Sequence, residues 1–173
     1  MRTIATTLFA VATLAAQSNQ PSSNQVVDTS RRHYAEAKDD VLRSAEKIPE
    51  DLYSFRPTPD VRTLGEVIAH IADGQYELCW PATGKQIDKN IEDTVKGKAA
   101  LIVALKEAFA YCDAIYAGMK DADAVATITV WGHKSSKIGV LDYNTSHTME
   151  HYGNLVTYMR LRGIVPPTSE PKK

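Results

Sequence analysis

His147 and His151 are one helical turn apart inside a long amphipathic segment that the pattern predicts as a helix from about Ile138 to Arg162. An i, i+4 pair points two imidazoles to one side of a helix, about 6 Å apart along the axis and about 40° around it. That geometry can chelate a metal, but two nitrogens hold a divalent ion weakly, so a third donor must come from elsewhere. The stripe Val140, Asn144, His147, His151, Leu155 and Tyr158 follows the 3-4 spacing of a core-facing seam, so both imidazoles point inward. They are then either ligands or core histidines hydrogen-bonded to neighbours. His70 is the candidate third donor. It lies beside Val67 and Ile71, on the margin of a second amphipathic segment. Three histidines from two helices can converge in a bundle core and leave coordination positions open.

The neighbouring residues suggest rival chemistries. His147-Thr148-Met149-Glu150-His151 also satisfies the inverted zincin pattern, with Glu150 as general base. Such a peptidase is expected to need a further acidic ligand well downstream, and only Glu170 follows His151. A di-iron centre needs Glu-x-x-His pairs; Glu66 lies four residues before His70, and no other glutamate lies three before a histidine. Asp73, one turn after His70, is a candidate to orient a ring N–H or a water, or else an exposed helix residue. Glu150 is a weaker candidate for the same role, with a solvated side chain as its default. Tyr76, Trp80, Trp131 and Tyr152 are candidates to shape a pocket, although aromatics at helical spacing usually pack. His33 and His133 are expected at the surface.

These residues need helices to position them. Thr29 to Ile48 carries Tyr34, Ala37, Val41, Leu42, Ala45 and Ile48 at helical spacing, with Asp28 or Thr29 as N-cap. Pro49, Pro57 and Pro59 enforce a connection whose Leu52, Tyr53 and Phe55 cover one end of the core. Thr63-Leu64-Gly65-Glu66 fits a capping box and opens the second helix, which ends before Pro81 and Gly84. Thr94 to Met119 repeats apolar residues at three and four and forms the third. Val125 to Trp131 reads as an extended crossover lying on the bundle, since one short run cannot make a sheet alone. The fourth helix stops at Gly163, with Pro166-Pro167 beyond. Four helices of this length predict an all-α fold, a four-helix bundle.

The 173 residues and 43% hydrophobic content suit one domain with its own core. A net charge of -1, with no cluster of five or more Lys and Arg on one face, excludes nucleic acid as the expected partner. Arg2 followed by the charge-free run Thr3 to Ala16 resembles a secretory signal peptide with small residues at Ala15 and Ala16, and the run is too short for a membrane span. The expected organisation is a signal peptide over 1–16, a linker over 17–27, the bundle over 28–168 and a frayed tail over 169–173, exported to the periplasm or cell exterior. Cys79 and Cys112 reach similar heights if the second and third helices run parallel. The connection from Trp80 to Asp93 stretches roughly 46 Å, more than a helix length of about 25 Å. In an exported protein the pair is then either a disulfide or two buried thiols.

Four strings carry a family resemblance: Phe55-Arg56-Pro57; Leu64-Gly65-Glu66-Val67-Ile68-Ala69-His70-Ile71-Ala72-Asp73; His147-Thr148-Met149-Glu150-His151-Tyr152-Gly153-Asn154; and Arg160-Leu161-Arg162-Gly163-Ile164-Val165-Pro166-Pro167. They resemble the DinB family over most of the chain after residue 28. The resemblance implies up-down-down-up helix order with a long crossover between helices two and three, and often a homodimer. It also implies a divalent metal held by one histidine of helix two and two of helix four, by motif position His70, His147 and His151. Three imidazoles suit zinc or nickel first, with iron, copper or manganese behind them. The expected function is that of a metal-dependent enzyme, a hydrolase or thiol-dependent transferase, acting on a small molecule through water or a thiolate activated on the ion. Export disfavours the thiol branch, because low-molecular-weight thiols are mainly cytosolic. The alternative is a non-catalytic metal- or ligand-binding bundle of the cell envelope.

Overall fold

The computed structural model describes residues 24–171. The charge-free run Thr3 to Ala16 and the linker up to residue 23 lie outside the described residues. Helix α1 spans Gln25–Lys47, beginning a turn before the expected Thr29. Its first turn is capped from a distance: the Asp121 carboxylate accepts the backbone N–H groups of Val26 at 3.1 Å and Val27 at 3.0 Å. Two of the four orphan donors of the helix start are thereby satisfied, so residues that composition assigns to a linker become helical. A 3-10 turn, Glu50–Ser54, follows.

Helix α2 spans Leu64–Cys79 and starts on the expected capping box, with both reciprocal bonds formed between Thr63 and Glu66. The expected third helix starts four residues after Thr94. Ile91–Thr94 forms a separate turn, α3, and α4 spans Lys98–Gly118 after extended Val95. A further turn, α5, spans Asp121–Ala124, and α6 spans Lys137–Leu161. Gly163, at φ 72°, ends α6 as expected: Ile164 N–H donates to Met159 O at 2.9 Å and Gly163 N–H to Arg160 O at 3.1 Å. That pair of bonds is a Schellman motif.

Contacts fix the direction of each long helix. Gly65 lies against Leu101 near the starts of α2 and α4, and Cys79 is disulfide-bonded to Cys112 near their ends, so these two helices are parallel. Ser30 near the start of α1 donates to Asp142 near the start of α6, so α1 and α6 run together. Gln75 meets both Thr148 and Asn144 while His70 meets His147, so α2 and α6 are antiparallel. The order is up-down-down-up, with α3 inside the long crossover. Val41, Leu64, Ile68, Leu105, Phe109, Leu141 and Leu155 are wholly buried where the four helices meet. Burying each such side chain contributes about 1.5–3 kcal/mol.

Two further expectations are corrected. Val125 to Trp131 is not a lone extended crossover: Thr127–Val130 (β1) pairs antiparallel with His133–Ser136 (β2), Val130 facing His133. Trp131 and Gly132 both have positive φ, 49° and 80°, as a tight two-residue hairpin requires. β2 is polar and short, so periodicity does not mark it. Nor is the C-terminal segment frayed at its start. Pro167–Ser169 forms a 3-10 turn, Tyr152 hydroxyl meets Thr168 Oγ1 at 2.9 Å, and Glu170 pairs with Arg43 and Lys47 of α1. No helix among the described residues is long and apolar enough to cross a membrane.

Candidate metal centre

His70 sits midway along α2, and His147 and His151 sit on the facing stripe of α6. The antiparallel packing brings all three rings together. His147 Nε2 lies 3.3 Å from His70 Nε2 and 3.1 Å from His151 Nε2, and a ligand atom from each residue lies within 4.8 Å of the other two. Metal–nitrogen bonds of ~2.0–2.1 Å at tetrahedral or facial octahedral angles require nitrogens ~2.9–3.4 Å apart. The two spacings from His147 fall in that range. The packing beneath His147 is equally tight: a Cβ on Gly74 would lie 2.7 Å from its Cε1, so α2 needs a residue without a side chain there.

The outer ring atoms explain how the inner ones are aimed. His70 Nδ1 lies 3.0 Å from Glu92 Oε2, and the carboxylate, an acceptor only, places the ring proton on Nδ1 and a lone pair on Nε2. Arg62 Nε donates to the other oxygen of Glu92 at 2.6 Å. Burial alone would raise the Glu92 carboxyl, but the hydrogen bonds from Arg62 and His70 outweigh it and hold it below its ordinary value. The Asn154 amide lies 3.3 Å from His151 Nδ1. Its oxygen and nitrogen are interchangeable by a half-turn, and with the oxygen inward it accepts an Nδ1–H and leaves Nε2 free. His147 Nδ1 is buried without a partner among the described residues.

Burial, and then the charge of the neighbouring histidines, pushes His151 down to about 4 and lowers His147 as well. Both rings are therefore neutral at physiological pH and present lone pairs. Lone pairs converging at about 3 Å repel unless a proton or a cation lies between them. The donor set suits a borderline divalent ion, with three imidazoles and no thiolate, and the two clefts beside it leave room for further ligands. A cleft of about 570 Å³ reaches His151, and another of about 410 Å³ reaches His70; both are bordered by Glu92.

The other expected residues are distributed differently. Asp73 bonds neither a histidine nor bulk solvent alone: its carboxylate accepts the backbone N–H of Ile91 at 2.7 Å and of Glu92 at 2.8 Å, capping α3. It thus places Glu92, which in turn orients His70. Glu150 is exposed and bonds none of the three histidines, and Glu170 is engaged with α1, so the peptidase arrangement is not assembled. Tyr76 and Trp80 line the smaller cleft. Trp131 instead packs against Tyr143 at the hairpin tip, with ring centroids 6.0 Å apart, and Tyr152 is buried near Thr168. His33 and His133 are exposed, as expected. Sequence reasoning missed Glu92, Arg62 and Gly74. Their partners lie up to 73 positions away along the chain, between Gly74 and His147, and only Gly74, as a glycine inside a helix, carries a local signal.

Comparison with known proteins places the chain in a family. Residues 33–155 match the family model described as the DinB superfamily. A crystal structure of a DinB-like protein from Bacillus subtilis superposes with a TM-score of 0.67 at 22% identity, covering 87% of this chain and 100% of that one. A DinB-like protein from Bacillus cereus superposes with a TM-score of 0.69 at 17% identity, covering 81% of this chain and 95% of that one. A mycothiol-dependent maleylpyruvate isomerase, crystallised as a histidine-to-alanine variant, shares the fold at a TM-score of 0.62 and 12% identity, over 75% of this chain and 60% of its own. No curated protein matches the sequence.

Proposed function

The chain belongs to the DinB superfamily, and on that premise we propose that His70, His147 and His151 hold a divalent transition metal, zinc or nickel, in a site that keeps coordination positions open. The single observation that carries the reading is the convergence of three imidazole nitrogens at ligand spacing. The protein is then a metal-dependent enzyme, a hydrolase or a thiol-dependent transferase acting on a small molecule. When bound, the ion would supply Lewis acidity and lower the pKa of a water or thiol at its open positions.

The chain's own residues supply the rest. Glu92 fixes the His70 tautomer and places a negative charge behind the ring. Asn154 aligns His151, and Gly74 admits the His147 ring. The Cys79–Cys112 disulfide fits an oxidising compartment, which supports export and favours the hydrolytic branch over one needing a reduced thiol. The non-catalytic reading has one observation in its favour: the cluster joins α2 to α6, so an ion there also staples the bundle.

Elemental analysis of protein purified without an affinity tag is expected to find about one transition metal per chain. Screening the loaded protein against ester and thiol substrates separates the two readings. Turnover that disappears on metal removal establishes the enzyme, whereas a thermal shift on loading with no turnover assigns the structural role. Protein that binds no transition metal and shows no shift with zinc or nickel would refute the proposal.

A further inference from the structure

The cleft of about 570 Å³ that reaches His151 has an uneven wall. Val67 and Tyr158 give it an apolar side, Asn154 lies by the floor, and Arg56 and Arg62 enter from the connection before α2. The acids of the same wall are mostly engaged. Glu66 accepts the Thr63 N–H in the capping box, and both oxygens of Glu92 are taken, one by Arg62 and one by His70. Asp60 alone has no such bond among the described residues. The arginines are the reverse case. Arg62 uses only Nε on Glu92, which leaves the two terminal guanidinium nitrogens without an acceptor among the described residues, and its side chain is 43% exposed. Among the described residues Arg56 makes a single long hydrogen bond, 3.4 Å to Pro59 O.

We propose that this cleft binds the anionic end of the substrate: a small organic molecule bearing a carboxylate or phosphate, held by Arg62 and Arg56. This rests on the metal reading, because the group to be transformed must then face the nitrogen cluster at His151. With a divalent ion there, Arg56, Arg62 and the ion bring four positive charges against three negative ones from Asp60, Glu66 and Glu92. The free donors of a guanidinium form a planar fork that matches an oxyanion through two parallel bonds. Val67 and Tyr158 receive the carbon body between the two ends. Because Glu92 anchors Arg62 through Nε alone, the fork is held in place without being consumed, and it sits on the same carboxylate that orients His70. Binding the anion and aiming the metal ligand are thus tied to one residue.

The test uses the zinc-loaded full chain and three small probes, acetate, inorganic phosphate and neutral acetamide, titrated by calorimetry after metal content has been measured on the same sample. Acetate or phosphate is expected to bind and acetamide not, and the stronger of the two anions identifies the headgroup. Arg56→Gln, which touches no histidine or Glu92, is expected to weaken anion binding at least about threefold with zinc content unchanged, and Arg56→Gln with Arg62→Gln at least about tenfold. Anion binding equally strong in both variants would mean that the probe meets only the ion, and the inference fails while the metal reading stands. Acetamide binding as well as acetate also overturns it. A chain that holds no zinc overturns both.

Discussion

The α2–α6 interface contains two polar regions about a turn apart, and they are built on opposite rules. In the inner one, Gln75, Asn144 and Thr148 are wholly buried and bonded to one another: Gln75 donates to Thr148 Oγ1 at 3.0 Å and Asn144 donates to Gln75 Oε1 at 2.8 Å, beside the Cys79–Cys112 disulfide, and only Asn144 Oδ1 is without a partner among the described residues. In the outer one, His70, His147 and His151 turn three acceptor nitrogens toward a common point and are bordered by two clefts. Both regions place polar atoms where an apolar core would otherwise continue. The inner region closes all but one of its hydrogen bonds, that of Asn144 Oδ1, within the described residues and so specifies how two helices dock. The outer region takes its hydrogen bonds to Glu92 and Asn154 on the outer ring atoms of His70 and His151, while the inner nitrogens meet only one another, at 3.1 and 3.3 Å from His147. Polarity in a core is therefore ambiguous until the destination of each lone pair is known.

The largest effect should follow from His147→Ala. With two nitrogens left, zinc affinity measured by chelator competition is expected to fall by more than the ~10–100-fold carried by an outer contact, while the metal-free chain keeps its helical circular dichroism. Retained affinity would erase the contrast between the two regions.

Asn144→Ala is the complementary break. It strands Gln75 Oε1 in the core, costing about 2 kcal/mol and lowering the melting temperature by roughly 5 °C for a domain of this size. Zinc stoichiometry should not change. If instead the metal is lost and the melting point holds, the inner region belongs to the site.

Glu92→Gln sharpens the outer region further. Neutralising the carboxylate behind His70 is expected to lower zinc affinity by about 10–100-fold, with a smaller change in stability, because Glu92 lies on the rim of the clefts rather than in the core. An unchanged affinity would show that the His70 ring needs an acceptor but no negative charge behind it, because the Gln amide oxygen can still accept the Nδ1–H.

The smallest effect concerns the entry to α2. The Thr63 backbone N–H stabilises ionised Glu66 and holds its carboxyl below the ordinary value. A depressed carboxyl contributes stability that is present above the unfolded value and lost as pH falls through the folded one. Glu66→Gln should thus cost ~0.3–0.5 kcal/mol at neutral pH after solvent screening, and urea melts should show that gap closing below about pH 4. A gap that widens in acid would remove the capping box as the source of the shift.

Features set by neighbouring residues were legible beforehand. The capping box at Thr63 and Glu66, the stop at Gly163 and the inward stripe carrying His147 and His151 each need only a few consecutive positions, and each is found where the spacing places it. The early start of α1 was not, because its cap is Asp121, 94 positions from Val27. Nor was the hairpin: β2 acquires its strand only by pairing with β1, as its residues have no alternation of their own. Asp73 shows the limit most clearly. Its position one turn from His70 left open contact with a ring or water and exposure to solvent, yet helical geometry also let it reach across to Ile91 and Glu92, and only packing chose.

By itself, then, the amino-acid sequence determined the helices and the residues able to ligate, since periodicity and capping are local properties of the backbone. Tertiary structure decided that His70 meets the α6 pair, that Glu92 rather than Asp73 or Glu150 stands behind a ring, and that Gly74 makes the space. Those outcomes depend on how α2, α3 and α6 pack, and the packing is settled by apolar surfaces that carry no information about which polar groups they will bring together.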